Sequence, residues 1–138
     1  MSREAARIAI VTAVQALKAT WTDYDLTIEY GNTLIDISQQ STPFLRVTML
    51  YHDAFQADLG LHARHRATGG VLLEALAKEG SGDKVQNQLL DHFYKGLHMS
   101  DANPPVRTYA AKFLPVKPAV NGWSNVGVTV PFWYDDIS

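Results

Sequence analysis

Gly69-Gly-Val-Leu-Leu-Glu-Ala-Leu-Ala77 admits two readings, and the fold depends on which of them holds. Its leucine, glutamate and alanine content favours a helix by intrinsic propensity. Yet Gly69-Gly70 and Gly80 bound the run and leave room for only a short helix. A short apolar run between turn residues suits a buried strand about as well. We read Arg64 to Ala77 as a strand.

The neighbouring segments are clearer. Between Phe44 and Tyr51, Leu45, Val47, Met49 and Tyr51 alternate with Arg46 and Thr48, the period of a half-buried strand. After Gly80-Ser-Gly-Asp83, Ser81 or Asp83 is placed to cap a helix running to about Leu97. Val85, Leu89, Phe93 and Leu97 recur at every fourth position with Leu90 beside them, and Gln86, Asn87, Asp91 and Lys95 are expected on the wet face.

At the N-terminal end, Arg3 to Ala19 reads as a helix with Ala6, Ile10, Ala13 and Leu17 on one face and Glu4, Arg7, Gln15 and Lys18 near another. Ser2 can cap it. Leu26 to Tyr30 is a short strand ending at Gly31-Asn32. Beyond Asn103-Pro104-Pro105, Val106 to Leu114 and Val126 to Tyr134 read as two long strands. Pro115, Pro118 and Asn121-Gly122 mark the loop between them. In the last strand Val126, Val128, Val130, Phe132 and Tyr134 share one side and Trp133 takes the other. Pro131 cannot donate to a ladder, so this strand is expected at an edge, or bulged there. The order α-β-β-β-α-β-β predicts a single α+β domain over residues 1–138, with two helices packed on a mainly antiparallel sheet.

Composition narrows the function classes. A chain of 138 residues should bury roughly 70% of its unfolded surface, enough for a core without staples. The formal charge of −2 argues against affinity drawn mainly from neutralising phosphates. Without cysteine there are no disulfides, thiolate nucleophiles or cysteine-bound zinc. No window approaches a membrane span and the first residues lack a signal-peptide pattern, so a soluble protein used without export signals is expected.

Chemistry-bearing patterns are sparse. His52, Asp53, Asp58, His62 and His65 have ligand-type side chains. They lack a His-Glu-x-x-His pattern, and a polar loop after a strand explains them, so no metal is expected. Gly80-Ser-Gly-Asp-Lys lacks phosphate-loop spacing, and Asp83 would repel a phosphate. There is no Gly-x-Ser-x-Gly elbow, and Asp135-Asp136 lies near a chain end. The reading is therefore of no catalytic residues, no cofactor and no enzyme. Arg64 and Arg66 share one strand face and Trp133 points outward. A solvated strand end explains the arginines; the alternative is an intersubunit salt bridge or a cationic lining facing nucleic acid, and Trp133 is a candidate contact for a neighbouring subunit.

Several features in order resemble the tail terminator (tail completion) proteins of long-tailed bacteriophages. They are the first helix leading to Trp21, Tyr30-Gly-Asn32, Phe44-Leu-Arg-Val47, Leu59-Gly60 and Gly69-Gly-Val-Leu72. Gly80-Ser-Gly82, Gly122-Trp123 and Val130-Pro-Phe-Trp-Tyr-Asp135 complete the set, which spans almost the whole chain. The resemblance tips Leu72 to Ala77 toward strand. It implies a structural virion protein that forms a homo-oligomeric ring, typically a hexamer, on the head-proximal end of the tail tube. Such a ring ends tube polymerisation and joins the tail to the head-completion proteins of the neck. Its implied partners are copies of itself, the tube protein and a neck protein, with double-stranded DNA passing through the lumen without sequence-specific binding, and no membrane. It would be made in the host cytoplasm. The alternatives are another phage neck or head–tail adaptor protein and, further off, a small metal-dependent hydrolase using the His52 to His65 cluster.

Overall fold

The computed structural model describes residues 3–30, 42–56, 64–78, 84–97, 106–114, 117–120 and 122–137; of residues 53–56, 64, 117–120, 136 and 137 it describes the backbone. The elements are α1 (Arg3–Ala19), β1 (Ile28–Tyr30), β2 (Phe44–Gln56), β3 (Arg64–Lys78), α2 (Lys84–Leu97), β4 (Arg107–Thr108), β5 (Lys112–Phe113), β6 (Lys117–Val120) and β7 (Trp123–Ile137). They form an α+β fold with one mainly antiparallel sheet. Its order is β1-β2-β3-β7-β4, with β5 and β6 also paired to β7. The stretch from Gly69 to Ala77 is strand, inside the fifteen-residue β3.

Tertiary context overrides helix propensity in β3 because it lies between two long partners. It pairs antiparallel with β2 on one side and along its whole length with β7 on the other. Contrary to the expected boundary, Gly69 and Gly70 sit within the strand rather than at a turn. A β-carbon on Gly69 would run into the backbone carbonyl of Leu50 and lie 2.7 Å from Phe132 Cζ, so only glycine lets these groups approach. The site adjoins the register shift in β2 between Tyr51 and Ala54.

Both helices cover one face of the sheet. Ala6, Ile10, Ala13 and Val14 of α1 and Leu89, Leu90, Phe93 and Leu97 of α2 bury against Leu45, Val47, Val71, Leu73, Ala75, Val128, Val130, Phe132 and Tyr134. The alternation expected for β2 and β7 therefore holds. Gln86 departs from its expected wet position. It is buried, and its amide donates to the Ala75 carbonyl at 3.0 Å and the Ser124 carbonyl at 3.1 Å, which joins α2 to β3 and β7. On the opposite face Phe44, Leu76 and Trp123 form a smaller cluster, with Phe44 and Trp123 meeting edge to face at 5.2 Å.

Two expectations for the C-terminal half are corrected. Val106 to Leu114 is not one long strand but the short pieces β4 and β5. The last strand is not an edge: β7 lies between β3 and β4, β5 and β6. Pro131 accounts for both. Its carbonyl accepts from Tyr109 N at 2.9 Å, so its imide nitrogen, which has no hydrogen to donate, faces the same side. There the neighbouring chain leaves the ladder between Thr108, opposite Phe132, and Lys112, opposite Thr129. The proline interrupts its neighbour instead of marking an edge.

The link from α1 to β1 is anchored by aromatics. Trp21 meets Tyr24 at 5.6 Å and His92 at 5.4 Å, and Tyr24 Oη donates to the Pro43 carbonyl at 2.7 Å. Burial, helped by the charge of Asp23, pushes the Tyr24 hydroxyl up to about 12. A folded value raised above the unfolded one contributes stability that is present below pH ~10 and lost as pH climbs toward 12. Urea titrations between pH 9 and 12 should show this alkaline loss, and Tyr24→Phe should flatten it.

Candidate functional site

The first candidate site is an arginine–tryptophan platform at one end of the sheet face opposite the helices. Arg66 and Asp135 are directly opposed across β3 and β7, as are Thr68 and Trp133. Arg66 Nε donates to Asp135 Oδ1 at 2.9 Å and one terminal nitrogen donates to Oδ2 at 3.2 Å, a two-pronged ion pair. The same guanidinium lies 4.0 Å above the Trp133 ring centroid. Arg107, brought opposite Trp133 by β4, adds a second cation at 5.5 Å. Arg66 and Trp133, singled out separately from the sequence, thus meet on the face opposite the helices. The Arg64 side chain lies outside the described residues; its backbone pairs with Ile137.

Arg66 already has a carboxylate partner within its own chain, so its charge is held rather than presented alone. Arg66→Ala should cost about 1 kcal/mol in urea unfolding, a charge-assisted pair discounted for its partial exposure.

Below the platform lies a polar row that sequence reasoning missed. Glu29, Arg46 and Glu74 are successive register partners across β1, β2 and β3. Arg46 Nε lies 3.3 Å from Glu29 Oε1, and Asn125 Nδ2 donates to Glu74 Oε2. Both carboxylates are buried. Alternation puts Arg46 on this face from sequence alone, but the partners depend on strand order. A one-residue slip of β3 would turn Glu74 into the apolar core, so the row fixes register.

Of the histidine–aspartate cluster, His52 and His65 have described side chains, and these lie on opposite faces of the sheet. His52 lies on the face opposite the helices, near Gly70, whereas His65 shares the helix-covered face with Ala67. The side chains of Asp53, Asp58 and His62 lie outside the described residues, as do Ser2, Gly80, Ser81 and Asp83. Among the described residues no three ligand-type side chains converge.

The second candidate feature is a groove of about 310 Å³ between α1 and the outer edge of β2, lined by Arg7, Val11, Tyr30, Val47, Thr48, Met49 and Tyr51. It exists because β1 pairs with only Leu45 to Val47, leaving β2 beyond that point without a described strand partner. Gln15 Nε2 donates to Tyr30 Oη, Arg3 stacks over Tyr51 at 4.8 Å, and Arg7 is held by Glu4. Burial raises the hydroxyls of both Tyr30 and Tyr51 above the usual tyrosine value. The lining offers apolar surface and phenol oxygens, the chemistry of a binding surface rather than of a reaction.

The opposite edge is unlike it. Phe113 on β5 is 68% exposed and Tyr109, just before it, 51%. Phe113 touches Tyr94 of α2 edge to face at 5.2 Å. The exposed Arg107 and Lys112 pair with Trp133 and Thr129 and so face the opposite side of the sheet from Phe113.

No family model and no curated protein matches the chain. Among solved structures, one chain superposes with a TM-score of 0.71 over 100% of this chain and 98% of its own length, at 14% identity. The likeness is one of fold. No helix among the described residues is long and apolar enough to cross a membrane.

Proposed function

We propose that the chain is a phage tail terminator, a structural protein whose copies close into a ring on the head-proximal end of the tail tube and join the tail to the neck. The observation that supports this reading most is the pair of unlike sheet edges: an apolar groove on one side and exposed aromatic rings on the other. Head-to-tail assembly requires two such different surfaces on each subunit, and a ring results when the rotation between copies closes. The sequence resemblance supplies the place of the ring in the virion. In this reading the Arg66–Trp133–Arg107 platform is a surface for a neighbouring subunit or for the lumen.

Native mass measurement of the purified protein tests the class. A single closed oligomer without bound metal is the expected result; a monomer carrying stoichiometric metal would favour the hydrolase alternative. Reversing the charge of Arg64 and Arg66 together should impair ring formation or tail joining, and unchanged assembly would remove both residues from the interface.

A further inference from the structure

We infer that the β5 edge of one copy docks into the α1–β2 groove of the next, with Phe113 as the inserted ring. This deepens the ring reading and rests on it. It relocates the contact from the last strand, which the sheet topology places in the interior, to the two outer edges of the described strands.

The sheet register carries the argument. Tyr30 pairs with Val47, Val47 with Leu73, Leu73 with Val128, and Val128 with Phe113. Phe113 and Tyr30 are therefore the two ends of one cross-strand row. Directly paired residues point to the same side of a sheet, and the interior members Val47, Leu73 and Val128 are buried under the helices. The exposed ring and the groove consequently lie at one level and on one face, at opposite edges. A neighbour rotated about an axis parallel to the strands brings its Phe113 to the groove without sliding along them. Absence of that slide distinguishes a closed ring from a helical filament.

The chemistry of the two ends also matches: Phe113 is a 68% exposed aromatic ring, and the groove wall at the other end of the row is mainly apolar. An aromatic side chain entering an apolar groove has the make-up of an interface hot spot.

The natural absence of cysteine allows a direct test in the full chain. Val11→Cys on the groove wall and Phe113→Cys are combined, the protein is oxidised, and covalent products are sized and their junctions identified by peptide mass spectrometry. A Lys78→Cys/Phe113→Cys variant serves as the collision control, and far-UV circular dichroism confirms that each variant folds. The expected result is a ladder ending at one size, joined through positions 11 and 113 and missing from the control. An endless ladder with that junction would support the contact but overturn the ring. Junctions only between like positions, no junction, or an equal ladder in the control would overturn the contact. In that case the ring reading would still stand or fall on the native mass of the wild-type protein.

Discussion

Gly69→Val is expected to cost about 3 kcal/mol of stability, because the added side chain has nowhere to go. Its β-carbon would strike the Leu50 carbonyl, a backbone atom that cannot rotate away, and would meet Phe132 Cζ at 2.7 Å and Cε1 at 3.0 Å. Phe132 cannot yield cheaply either. It is buried, stacked on Tyr134 at 6.3 Å and set edge-on to Tyr51 at 6.4 Å. Against a typical domain stability of roughly 5–15 kcal/mol the loss is large. Urea unfolding should show a lower midpoint, with Gly127→Ala as the comparison, where the neighbour is the Leu114 side-chain tip at 3.2 Å. A Gly69→Val protein within about 1 kcal/mol of the wild type would contradict the close approach of β2, β3 and β7.

The second large effect is expected at Gln86. Gln86→Glu replaces a buried amide donor with a carboxylate facing the Ala75 and Ser124 carbonyl oxygens, which it now repels. An uncompensated buried charge costs about 3–5 kcal/mol. The cost should depend on pH with a definite sign. The introduced carboxyl titrates higher in the folded state than its unfolded value near ~4.3, so stability returns as pH falls toward ~4 and declines as pH rises. Gln86→Leu, which loses the hydrogen bonds but buries no charge, should be milder and nearly independent of pH. Urea midpoints at pH 4.5 and pH 7.5 separate the variants; equal losses at both pH values would mean that Gln86 does not sit where the structure puts it.

Gln86 also shows where sequence reading stops. The helical period locates α2 and its buried leucines and phenylalanine, because spacing of three and four depends only on local geometry. Period alone cannot show that a polar residue on the margin of the apolar stripe will find two strand carbonyls to satisfy. Gly69-Gly70 misleads for a related reason. In sequence the glycines read as a boundary, whereas in the fold Gly69 makes room for a ring from another strand. Pro131 reads as an edge marker, yet it disrupts its neighbour instead, since a proline needs only one side free of a ladder.

At the candidate sites alternation gives the face of Arg66 within its strand and of Trp133 within its own. That the two meet, and that Arg66 bonds Asp135, is not legible, because those contacts need the register of two strands far apart in sequence. The groove and the exposed Phe113 are invisible for the same reason. They are opposite ends of a row defined only once five strands are placed in order.

The most direct measurement of the central claim is electron microscopy of assembled phage tails carrying this protein with a visible label. The account predicts label confined to the head-proximal end of the tube, as a ring; label along the tube or at its distal tip would contradict it.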